Sequence, residues 1–144
     1  MQARFLAGLI LAAAASAASA EVTVKDAWVR GVVGGQKVTG AFMTVTSTED
    51  AKIVGASSQI AKRAEIHTSM MMGGVNHMRS VDAIPLPAGK AVELKAGSYH
   101  VMLMEISQPM RPGDTVSLAL TVVGKDGKST EIPVKAKVRP VNAR

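Results

Sequence analysis

Thr115-Val116-Ser117-Leu118-Ala119-Leu120-Thr121-Val122-Val123 is the stretch that decides the fold. Val116, Leu118, Leu120 and Val122 recur at every second position, the period of a strand with one face on a core and the other toward water. Similar alternating or β-branched runs are found on either side. They predict strands at Val22–Val29, Val38–Thr46, Lys52–Ala56, Glu65–Met70, Val75–Val81, Ala91–Leu94, Tyr99–Ile106 and Thr130–Val138. Gly34-Gly35, Gly73-Gly74, Gly89-Lys90, Pro112-Gly113-Asp114 and Gly124-Lys125-Asp126-Gly127 punctuate them, and Asp114 reads as turn chemistry. No segment has a helical period. Short strands spaced about ten residues apart predict an all-β antiparallel sandwich or barrel. Trp28, between Ala27 and Val29 in the first strand, is expected to pack in the core.

The fold begins after the first twenty residues. Arg4, the apolar run Phe5–Ala15 and Ala18-Ser19-Ala20 form a charged n-region, an h-region and an A-x-A cleavage site. This pattern predicts a secretory signal peptide over residues 1–20, removed on export to the periplasm. One domain is then expected over 21–138, with a short flexible tail at 139–144. The 144-residue chain carries 17 Lys and Arg against 11 Asp and Glu, a net +6. These charges are scattered along the chain. A nucleic-acid protein would cluster them and interleave aromatic residues, so no nucleic-acid partner is expected.

The chain contains no Cys, 9 Met and 3 His. Disulfides, thiolate zinc sites, iron–sulfur clusters, a cysteine nucleophile and a blue-copper centre are therefore excluded. All the sulfur is thioether, which serves as core filler or as a soft-metal ligand. Its distribution is uneven: His67, Met70, Met71, Met72, His77, Met78, His100, Met102, Met104 and Met110 fall in one window, and the exported chain has only Met43 elsewhere.

Strand geometry sorts this cluster. Met72-Gly73-Gly74-Val75 reads as a two-residue hairpin turn. In that register Met78 faces Ser69, His67 faces Ser80, and His67 and Met78 become diagonal neighbours on one face. Met71 shares that face, while Met70, Met72 and His77 fall on the other. In Tyr99-His100-Val101-Met102-Leu103-Met104, residues His100, Met102 and Met104 share one side and Val101 and Leu103 the other. If the two strands meet, His67, Met78, His100 and Met102 make a site of two nitrogens and two sulfurs. Thioether with imidazole suits Cu(I), whereas Cu(II) prefers nitrogen and oxygen and zinc rarely takes thioethers.

These residues follow the pattern H-x10-M-x21-H-x-M. Together with Asp26–Arg30, Ala41–Thr44, Ala64–His67, Met78-Arg79, Leu86–Gly89 and Tyr99–Leu103, they make the sequence resemble the periplasmic copper-chaperone family written PCu(A)C, over Val22 to Val138. The resemblance implies a cupredoxin-like Greek-key β-sandwich or barrel with a near-surface Cu(I) site at His67, Met78, His100 and Met102. It also implies copper delivery toward cytochrome c oxidase, with an oxidase subunit or a Sco-type protein as recipient. Some members carry a second copper on a His- and Met-rich C-terminal extension. This chain ends Val138-Arg139-Pro140-Val141-Asn142-Ala143-Arg144, so one ion is expected. Met71, His77 and Met104 are auxiliary candidates, with His77 read by face parity as a surface residue. No nucleophile–base pair is in view, so no enzyme is expected, and a monomer is expected because no long apolar face is exposed. Three rival readings are copper buffering without a delivery partner, a structural sandwich with Met in its core, and a copper redox enzyme.

Overall fold

The computed structural model describes residues 20–143. Apart from Ala20, the predicted signal peptide lies outside them. Ten strands follow in order: β1 (Val22–Arg30), β2 (Val38–Ser47), β3 (Ala51–Ser58), β4 (Ala61–Met72), β5 (Val75–Ser80), β6 (Ile84–Leu86), β7 (Ala91–Leu94), β8 (His100–Ile106), β9 (Thr115–Gly124) and β10 (Ser129–Arg139). Among the described residues there is no helix. The sheet runs β4-β8-β2-β1-β10-β9-β3, and Ser58 paired with Ala61 joins β3 back to β4. The all-β barrel read from the sequence is therefore present. It is closed, so the seven wall strands leave no free edges. β5 extends outward from β4, β6 pairs with β3 and β7 with β2. All pairings are antiparallel except β1 beside β10.

The deciding stretch behaves as its pattern requires. Val116, Leu118, Leu120 and Val122 are buried on β9, and Val134, Ala136 and Val138 on β10 continue the same inner face. Pro133 sits within β10 at no cost to the ladder, because β10 meets β1 only from Lys137 onward. The core is filled by aliphatic side chains such as Val29, Val45, Ile53, Leu94, Val101 and Leu103, with Met43 and Met110 among them. Those two methionines are packing residues. Asp114 closes its turn as expected, its carboxylate accepting from the Arg111 N–H at 3.0 Å.

Trp28 is a correction. The register of β1 on β2 shifts between Lys25 and Trp28, where Asp26 takes a left-handed backbone, φ 55. This bulge inserts one residue and reverses which side chains point inward. Val29 becomes the core residue, and Trp28 turns to the outer wall. There its ring lies 4.6 Å from that of Phe42, with the Arg139 guanidinium 4.7 Å from its centroid.

Candidate metal centre

The hairpin Met72-Gly73-Gly74-Val75 fixes the site. Gly73 and Gly74 have φ of 59 and 77, the doubly left-handed backbone of a type I′ turn, whose twist matches that of paired strands. The turn sets the register of β5 on β4: His67 opposite Ser80, Ser69 opposite Met78, Met70 opposite His77. This is the register read from the sequence. On its other edge β4 pairs with β8, and His67 stands directly opposite His100, with Glu65 opposite Met102. His67 is thus the middle residue of a three-strand row. Met78 and Met102 lie on its two flanks, on the same face.

That face is the outer wall of the barrel. Val101 and Leu103 point into the core, so His100 and Met102 point out. They are nonetheless buried, with His100 3% and Met102 9% exposed. The cover comes from a cleft of about 240 Å³ lined by Arg30, Gly40, Phe42, Met78, His100 and Met102, among others. Gly40 faces Met102 across β2 and β8. A Cβ on Gly40 would lie 2.7 Å from the Phe42 ring, so glycine is what lets that ring settle beside the site. The Phe42 and His100 centroids are 6.1 Å apart, and those of His67 and His100 are 6.0 Å apart.

Each imidazole has one nitrogen held by an oxygen. His100 Nδ1 is 2.9 Å from the Ser98 carbonyl, which can only accept, so Nδ1 carries the proton and Nε2 keeps its lone pair. His67 Nε2 is 2.9 Å from Glu65 Oε2. His67 Nδ1 is buried with no hydrogen-bond partner. Oxygen acceptors that orient an imidazole and free its second nitrogen are the usual supports of metal-bound histidine. A buried orphan nitrogen is otherwise a cost. The hydrogen bond from His67 holds the Glu65 carboxyl below its usual range. Burial lowers the His100 pKa, and the charges of His67 and Arg30 push it the same way.

The four candidates differ in exposure. His67 and His100 adjoin, Met102 is buried beside them, and Met78 lines the same cleft while 55% exposed. The auxiliary candidates disperse. Met71 shares the face of His67 but is 71% exposed near the hairpin tip. Met104 Sδ accepts from the Arg63 guanidinium at 3.2 Å. His77 is on the reverse face, opposite Met70. Among the described residues no three His, Asp or Glu side chains converge as a metal site, so thioether is needed to complete one here. Glu65, Phe42 and Arg30 fall in blocks that carry the resemblance, but neither they nor Ser98 and Gly40 have a site role in the sequence pattern. For Glu65 a signal existed, since a carboxylate two residues before His67 on a strand shares its face.

Solved structures share this fold. A copper-bound PCuAC domain from PmoF2 superposes with a TM-score of 0.66 at 21% identity, over 83% of this chain and 92% of that one. The Cu(I) form of DR1885 from Deinococcus radiodurans gives a TM-score of 0.60 at 30% identity, over 81% of this chain and 76% of that one. A protein of Leifsonia xyli subsp. xyli described as "Putative lipoprotein Lxx21020" is 31% identical over 119 residues, 81% of this chain and 69% of its own length. The closed barrel and these likenesses set the chain among the PCuAC domains, the family that the sequence resembles. Within it the chain belongs to the LpqE-like family, whose model, "Putative lipoprotein LpqE-like", matches residues 22–137. The chain itself contains no Cys to carry a lipid.

Proposed function

We propose that the protein is a copper carrier that binds one Cu(I) ion at His67, Met78, His100 and Met102 and passes it on by ligand exchange. The observation that carries this reading is the orphaned, buried Nδ1 of His67 beside His100, with each ring's other nitrogen held by an oxygen. Four neutral donors leave the ion its single positive charge, and the nearby Arg30 cation further disfavours Cu(II). The copper-bound relatives support the choice of metal.

The signal peptide over residues 1–20 would place the carrier in the periplasm. The recipient would be a copper protein of cytochrome c oxidase assembly, an oxidase subunit or a Sco-type protein, with the carrier acting as a monomer and not as an enzyme. Anaerobic titration against a Cu(I) competitor tests the site. One ion retained by the wild type and released by the Met78→Leu, Met102→Leu variant is expected, and unchanged affinity in that variant would sink the assignment. Deleting the gene tests delivery. Lower oxidase activity at low copper is expected, whereas sensitivity to high copper alone would mean buffering.

A further inference from the structure

The register that builds the first site also sorts a second set of soft donors onto the reverse face of the same hairpin. Met70 is directly opposite His77, and Met72 is opposite Val75, one step nearer the tip on that side. Residues on opposite strands of one face have Cβ atoms about 5 Å apart when paired and about 7–8 Å apart when diagonal. Two thioethers and one imidazole therefore stand within reach of a common point, each thioether on three rotatable bonds. The type I′ turn prevents a one-residue slip that would mix the two faces.

Packing does not account for these side chains. Met70 is 46% and Met72 60% exposed, and His77 is exposed beside them. Met43 and Met110, by contrast, are 2% and 3% exposed in the core. The rest of this face is Thr68, Val75 and Arg79. It carries no carboxylate, so it offers nothing to a hard divalent cation.

We infer that Met70, Met72 and His77 form a second, solvent-open site for a soft monovalent cation of the Cu(I) class, on the hairpin face opposite His67 and Met78. Three donors with water on the outer side hold an ion more weakly than four donors of which His100 and Met102 are buried. The hairpin site is thus an exchangeable landing place. It lies on the reverse face of the hairpin and nearer its tip than His67 and Met78, and Met71 stands on the His67 face close to that tip.

The test is a titration with Ag(I), a redox-inert ion of the same d10 class, on protein carrying 13C-methyl Met. In the wild type the Met78 and Met102 methyls should move with the first equivalent, and Met70, Met72 and the His77 ring with the second. The Met70→Leu, Met72→Leu, His77→Asn variant should lose the second equivalent and keep the first. These positions are exposed, so the variant stays folded. If Met70 and Met72 stay still through two equivalents, or the variant still takes up both, the inference is overturned. If Met70 and Met72 shift while Met78 and Met102 do not, the hairpin site stands and the four-residue site fails.

Discussion

Replacing Met102 by Leu separates ligand from filler. Met102 is 9% exposed, lying against Gly40 across the strand pair and beside Glu65 on the other edge. Leu has nearly the same volume, so the packing cost stays below about 1.5 kcal/mol. Met102→Ala leaves a void, and buried Met to Ala costs about 2–5 kcal/mol. In a domain of this size each kcal/mol moves the melting temperature by about 4 °C. The Leu variant should melt within a few degrees of wild type, and the Ala variant about 8–20 °C lower. Copper should not follow that order. Loss of a mere supporting partner weakens metal binding about 10–100-fold, so loss of a direct donor should reach at least that in both variants. Thermal melting of the apo protein and competition titration under nitrogen give the two quantities. Cu(I) affinity unchanged in Met102→Leu, with Met102→Ala destabilised, would make this sulfur a packing atom and return the structural-sandwich reading.

Other perturbations probe the surroundings. Glu65→Gln removes the charged acceptor on His67 Nε2, so Cu(I) affinity in a competitor titration should drop about 10–100-fold while the apo melting temperature stays put. Gly40→Ala sets a Cβ 2.7 Å from the Phe42 ring. The clash should cost about 1–3 kcal/mol in urea unfolding, and Gly40→Ser should behave alike. His100 ties the protein to pH: its folded pKa lies below its usual 6.5, so in acid the unfolded chain takes up the proton first. Apo stability should be flat above that value and fall as pH drops below it toward the folded pKa. Chemical denaturation across pH 5–8 checks the slope, which His100→Gln should reduce.

Much of this was written in local pattern. Val116, Leu118, Leu120 and Val122 announce a half-buried strand because alternation is a property of the strand itself. The Gly73-Gly74 turn yields the β4–β5 register because only left-handed residues close a two-residue hairpin. What escaped depends on distant chain or on single backbone angles. Trp28 turned outward because Asp26 adopts φ 55 without being glycine. β6 is three residues long around Pro85, too short for a period. The start of β4 lacks apolar alternation because Lys62 and Arg63 are both exposed, and the core positions Ala61 and Ile66 fall on opposite parities across them. Phe42 and Arg30 could not be assigned to the site, since β1, β2 and β8 become neighbours only when the barrel closes.

The uneven exposure of the four donors bears on how an ion would leave. A carrier must hold cargo against water yet release it to a partner, and four equally buried donors would do only the first. Here His100 is 3% and Met102 9% exposed, whereas Met78 is 55% exposed on a hairpin that projects beyond the barrel wall. On the proposed reading an approaching thiolate or thioether meets Met78 first and displaces it. The ion then remains on His67, His100 and Met102 while the incoming bond forms, so it is never free. No proton need be taken up at that step, because a thioether does not titrate. The imidazoles, His100 buried and His67 half-buried, would let go last, once the partner has supplied its own donors. Met78→Leu should therefore speed transfer to a thiol acceptor, since the entry position is already vacated, whereas Met102→Leu should weaken retention without opening that path. Stopped-flow transfer rates that rank the two variants the other way round would overturn this order of release.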